Sequence, residues 1–92
     1  MNEVKLHYRH IFDPPALTAC GAELEYALRK GVDFVIDFAT VEFIGSPFIG
    51  TLVKISGDAR RMNLKIFARN VNAAVLDLLE RTAVTKVIEV MK

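Results

Sequence analysis

Phe34, Val35, Ile36 and Phe38 form a short run with apolar residues on both sides of a strand. There is no alternation with polar residues, so neither face can look at water. Such a run suits a central strand of a mostly parallel sheet, covered by helices on one side and packed on the other. Asp37 is its one polar intrusion.

The flanking segments change period in a way that fits this sheet. Val4, Leu6, Tyr8, His10 and Phe12 alternate with Lys5, His7, Arg9 and Ile11, which predicts one strand from Val4 to Phe12 with one buried face. Asp13-Pro14-Pro15 ends it, with Asp13 placed to cap the next helix. Leu17, Cys20, Leu24 and Leu28 then fall at helical steps, predicting a helix over 16–30 with Gly31 just past its end. Thr40 to Ile44 carries the chain out of the sheet. Ser46-Pro47 is a helix-start signal. Ile49, Leu52, Val53, Ile55, Ala59 and Met62 continue an apolar face over 47–61, and Asn63 ends it. A strand is predicted over 64–68. Asn70 or Asn72 caps a helix over 72–81 whose stripe is Val71, Val75, Leu78 and Leu79, and Val87 to Val90 makes a last strand. The order β-α-β-α-β-α-β predicts one α/β domain over residues 1–92, with a mixed, mostly parallel sheet of about four strands and three main helices. Leu24, Val35, Ile36, Leu52, Ile66 and Leu78 are the expected core.

Charge and cysteine usage exclude several functions. Twelve Lys and Arg face eleven Asp and Glu, a net charge of +1, which leaves no electrostatic footprint for nucleic acid or an anionic membrane. One cysteine and two histidines rule out an internal disulfide and argue against a structural zinc site, and no cofactor is expected. The longest apolar stretch, Val35 to Phe48, is interrupted by Asp37, Thr40, Glu42, Ser46 and Pro47, too polar for a membrane span. The first ten residues alternate and carry Glu3, Lys5 and Arg9, so no signal peptide is expected, and the expected setting is a bacterial cytoplasm. A chain of this size buries roughly 60% of its unfolded surface. So thin a core would gain from a partner or from a homodimer.

The most distinctive turn is Phe43-Ile44-Gly45-Ser46-Pro47-Phe48-Ile49-Gly50. Gly45 permits backbone that other residues resist. Ser46 follows at the positive end of a helix dipole, where a phosphate on its hydroxyl would meet unpaired backbone N–H groups. The plainer reading is a capping hydroxyl. Two enzyme readings fail. Gly45 and Gly50 have the glycine spacing of a phosphate-binding loop, but Thr51 stands where its lysine belongs and Leu52 where its metal-binding hydroxyl belongs. A nucleophile elbow needs glycine two residues before the serine, where Ile44 stands. His10 reads as a core-edge or surface imidazole, and Cys20 as a small hydrophobe of the helix core. Asp37 either caps a nearby loop or flanks a phosphoacceptor as a recognition charge.

From Asp33 through Asp37, Val41 and Ser46 to Gly50 the sequence resembles the central segment of the STAS domain, the fold of bacterial anti-sigma factor antagonists, stressosome subunits and sulfate-transporter appendages. The likeness continues through Asn63-Leu64-Lys65-Ile66-Phe67 and Val75 to Val87. It implies that Asp37 is the aspartate ending the central strand. It equally implies that Ser46 is the residue phosphorylated by an anti-sigma factor that is also a serine kinase. By that resemblance the protein catalyses nothing and controls transcription by switching partners, contacting them through Asp37, Thr40, Glu42, Gly45, Ser46, Pro47, Phe48 and Ile49. Phe48 is expected to be partly exposed there. The chain departs from the family pattern in having Gly45 in place of an aspartate, Pro47-Phe48 after the serine, and room for one opening strand rather than two. Gly45 favours an alternative: an unphosphorylated scaffold subunit of a stressosome-like or transporter-associated complex.

Overall fold

The computed structural model of the protein describes residues 2–91. In chain order it contains β1 (Asn2–Lys5), β2 (His10–Ile11), α1 (Pro14–Arg29), β3 (Phe34–Asp37), β4 (Phe43–Ile44), α2 (Ser46–Arg61), β5 (Ile66–Arg69) and α3 (Ala73–Arg81). A 3-10 turn (Val84–Lys86) and β6 (Glu89–Val90) follow. Four parallel strands make the main sheet in the order β1-β3-β5-β6, and β2 pairs with β4 in a separate two-stranded parallel sheet. The small α/β architecture with three helices agrees with the fold class expected from the sequence.

The central strand is where its composition places it, with all four residues of β3 buried between β1 and β5. Phe34 and Ile36 join Cys20 and Leu24 of α1, Leu52 and Ile55 of α2, and Ile66 and Ala68 of β5 in one core cluster. Val35 is 5% exposed and lies in register between Glu3 and Phe67. It therefore belongs to the opposite face of the sheet, since successive strand residues alternate. α1 runs from the two prolines and stops where Gly31 takes φ 72°, a left-handed backbone that glycine adopts freely. Asp13 holds the N-cap position, but its side chain makes no cap bond.

Several expectations need correction. The opening segment holds two strands rather than one. Pairing of β1 with β3 ends once the Leu6 N–H has bonded to the Asp37 carbonyl. Residues 7–10 then run exposed, and the chain resumes pairing with β4 one step out of phase. Ile11 is thus fully buried, while Tyr8, His10 and Phe12 are exposed, the reverse of the predicted faces. Residues 43–44 leave the main sheet as expected, but become β4. On α2, Val53 is about half exposed because it lies off the stripe set by Phe48, Leu52, Ile55 and Ala59, and Met62 is about half exposed because α2 ends at Arg61, before it. On α3 the buried pair is Val75 and Leu79, one turn apart, and Leu78 is only partly buried. This short helix packs against the 3-10 turn and β4, so only a narrow stripe is covered. The last strand is limited to two residues, because Val84–Lys86 forms the 3-10 turn and leaves Val87 exposed.

Candidate functional site

The distinctive turn enters α2 at a point where two chain segments meet. The Gly45 N–H donates to the Ile11 carbonyl (2.9 Å), and the N–H groups of Glu42 and Phe43 donate to the Arg9 carbonyl (2.7 and 3.1 Å). Side chains repeat the tie: Arg9 forms an ion pair with Glu42 at 2.6 Å, and His10 Nε2 lies 3.6 Å from the same carboxylate. From the other side, the Asn72 amide donates to the carbonyls of Val41 and Glu42, both at 3.1 Å. Its Oδ1 accepts from the Val75 N–H at 2.8 Å and caps α3. Of the two asparagines the sequence offered as this cap, Asn72 is the one. Asn70 instead takes φ 57° and donates to Asp37.

Ser46 is exposed and stands at the first position of α2. It is not the capping residue, because Gly45 holds the N-cap position and offers no side chain. The free donors beside Ser46 are also fewer than expected. Pro47 has no N–H, and those of Phe48 and Ile49 close on the Gly45 carbonyl at 3.1 and 3.4 Å. What remains for an anion is the N–H of Ser46 itself and the dipole of a sixteen-residue helix.

Gly45 is set by sterics. A Cβ built there would lie 2.7 Å from the Cβ of Phe12, a separation that real side chains do not reach. An aspartate at this position is therefore incompatible with Phe12 where it stands. Phe12 in turn stacks on His10, with centroids 5.5 Å apart, and tilts against Phe43 at 6.1 Å. Both phenylalanines are close to half exposed. They form an aromatic shelf beside the start of α2.

Phe48 is the main correction among the expected contact residues. It is fully buried in the core, because it falls four, seven and eleven residues before Leu52, Ile55 and Ala59 on the buried stripe of α2. Ile49 is partly buried, and Thr40, Glu42, Ser46 and Pro47 are exposed. Asp37 is buried and turned to a different task. Its Oδ1 accepts from the Ala39 N–H (2.9 Å) and the Asn70 amide (3.1 Å), and Arg69 reaches Oδ2 at 3.4 Å while also pairing with Glu3. Burial raises the Asp37 pKa, but those hydrogen bonds and the Arg69 charge outweigh it and hold the carboxyl below its ordinary value. None of these partners belongs to the Ser46 turn, so Asp37 braces the end of β3. Cys20 is buried in the core, and burial followed by the charge of Glu23 pushes its thiol up to about 11.

Sequence reasoning missed Arg9, Phe12 and Phe43. The first two sit in a segment whose alternation assigned Phe12 to a buried face, and no local pattern marks an aromatic that a phase shift leaves outside. Among the described residues no group of three or more His, Cys, Asp or Glu could hold a metal ion, and no helix is long and apolar enough to cross a membrane.

The family model for the STAS domain matches residues 20–92. No curated protein matches the chain. Among solved structures, a Thermotoga maritima protein assigned as an anti-sigma factor antagonist aligns with TM-score 0.79 and 16% identity, over 98% of this chain and 79% of that one. An anti-sigma-factor antagonist (STAS) domain protein of Planctomyces limnophilus aligns with TM-score 0.76 and 17% identity, over 100% of this chain and 91% of that one. At such identities the likeness is one of fold.

Proposed function

We propose a regulatory binding role for this chain, which belongs to the STAS domain family. It acts as an anti-sigma factor antagonist, without catalysis of its own and in a bacterial cytoplasm, and it changes partners according to the charge on Ser46. The observation that carries this reading is an exposed serine hydroxyl at the first position of a long helix, beside an exposed aromatic shelf. Unmodified, Ser46 and Pro47 dock together with Phe12 and Phe43 on an anti-sigma factor of the serine kinase type. Phe48 drops out of the docking set because it is core. Phosphorylation would add about −1.5 to −2 charge in that interface and break it. The helix dipole would tolerate the phosphate on the protein itself.

The test is capture of the partner, followed by calorimetric titration of wild type, Ser46→Ala and Ser46→Asp. Ser46→Ala should bind as wild type and resist release by ATP, while Ser46→Asp should bind about tenfold more weakly or worse, as expected for charge buried in an interface. Because Ser46 is neither buried nor a cap, Ser46→Ala should change stability by less than about 0.5 kcal/mol, the usual range for surface positions. Equal affinities for all three, with no phosphate on Ser46 by mass spectrometry after incubation with partner and ATP, would leave the scaffold reading. One observation favours that second reading: the contact between Phe12 and Gly45 bars an aspartate from the residue before the serine.

A further inference from the structure

A cavity of about 750 Å³ opens on the side of the molecule bounded by the second half of α2, α3 and the chain beyond Val84. Helix α3 packs chiefly on the 3-10 turn and β4, and the cavity lies between it and α2. Its volume falls within the roughly 300–1,000 Å³ typical of small-molecule sites. Ala59, Leu64, Ile66, Val71, Leu76 and Val90 supply an apolar lining. Val87 and Met91, two of the large hydrophobic side chains the protein leaves exposed, lie on the same wall. Ser56, buried in α2, also lines this space, but its hydroxyl donates to the Leu52 carbonyl at 2.7 Å. The inner wall therefore asks for an apolar occupant.

The charged lining is unbalanced. Lys5, Arg29, Lys30, Arg60, Lys65 and Lys86 have no ion-pair partner among the described residues, and the last three all line this one cavity. Two carboxylates, Glu80 and Glu89, also line it, and neither pairs with a cation among the described residues. Among the described residues, three exposed cations against two carboxylates leave an excess of positive charge around the trough.

We infer that the trough between α2 and α3 binds a small amphiphile with a single negative charge, its apolar tail against Leu64, Ile66 and Val90 and its head among Arg60, Lys65 and Lys86. The tail removes the apolar surface of Val87 and Met91 from water, and the head supplies the counter-charge that the described residues do not provide there. This site involves neither Ser46 nor the aromatic shelf, so it is independent of the proposed partner switch.

Sodium decanoate below its micelle concentration is the probe, with decanol and decyltrimethylammonium as the neutral and cationic arms. Amide chemical shifts of the full chain report the site. Decanoate should shift Ala59, Leu64, Leu76 and Val87, bind more tightly than decanol, and leave Ser46 and Phe43 unmoved. The cationic amphiphile should bind weakest. Joint substitution Lys65→Gln with Lys86→Gln should weaken decanoate by about tenfold while leaving decanol within about twofold, the separation expected when only charge complementarity is removed. Val87→Trp, at a lining side chain that is 41% exposed, should obstruct both. Thermal melts of each variant establish that the protein remains folded. Absence of saturable shifts, shifts centred elsewhere, or equal binding of the cationic and anionic amphiphiles would overturn the inference. So would decanoate affinity unchanged by the lysine substitutions or by Val87→Trp.

Discussion

Strand β3 of the main sheet buries all four of its residues, whereas each strand of the β2–β4 pair buries one residue and exposes the other. Both sheets are parallel, yet different forces hold them. The large sheet packs the face of Phe34 and Ile36 on α1 and α2 by apolar contact, a non-directional force that sums over area. The small sheet rests on two buried isoleucines, Ile11 and Ile44, and is otherwise positioned by directional bonds: Arg9 with Glu42, Gly45 with Ile11, and Asn72 with residues 41 and 42. The exposed residues of that second sheet and its border make up the candidate docking surface. A region built this way can change its exposed side chains without disturbing the core, and the position of its backbone depends on a few identifiable bonds.

Phe48 tests the boundary between the two regions most severely. It lies two residues from Ser46 in sequence but belongs to the core, so Phe48→Ala should cost about 3–5 kcal/mol, the usual range for emptying a buried phenylalanine site. Urea titration measures it. A loss below about 1 kcal/mol would return Phe48 to the surface and erase the boundary.

Gly45 comes next. Gly45→Ala forces its Cβ onto that of Phe12 and should cost about 1–3 kcal/mol, as overpacking does. Phe12→Gly removes the opposing Cβ, so the double variant should recover part of that loss. A double-mutant cycle reads the coupling, and simple additivity would show that the 2.7 Å approach is not what keeps glycine there. Asn72→Ala should cost about 1–2 kcal/mol through the lost cap. It should also speed amide hydrogen exchange over residues 40–44 more than in β3. Uniform exchange across both sheets would mean that the small sheet is not separately held.

The last effect is confined to acid. The Asp37 carboxyl titrates below its ordinary value of 3.8, held there by its hydrogen bonds and Arg69 against the cost of burial, so folding favours its charged form. Its contribution is fully present above the unfolded-state value and is lost as pH falls through the lower folded-state value. The stability gap between wild type and Asp37→Asn should therefore stay constant near neutrality and narrow below pH 3.8. A gap that widens on acidification would contradict the hydrogen-bonded carboxylate at the end of β3.

The doubly apolar run at Phe34–Phe38, the helical spacings and the helix start at Ser46-Pro47 were enough to assign the central strand, the three helices and the place of Ser46. Each of these depends on local periodicity or local backbone chemistry, which a sequence displays directly. The phase shift between Leu6 and Ile11, the narrow stripe of α3 and the meeting of Phe12 with Gly45 were decided only by tertiary structure. In each case the deciding contact joins residues distant in sequence or depends on how far a neighbouring element covers a helix. Alternation predicts which residues share a face of a strand only while that strand stays paired. When β1 leaves β3 after Lys5 and the chain pairs again with β4, the new partner resets the phase, and nothing in residues 4–12 alone records where that partner lies.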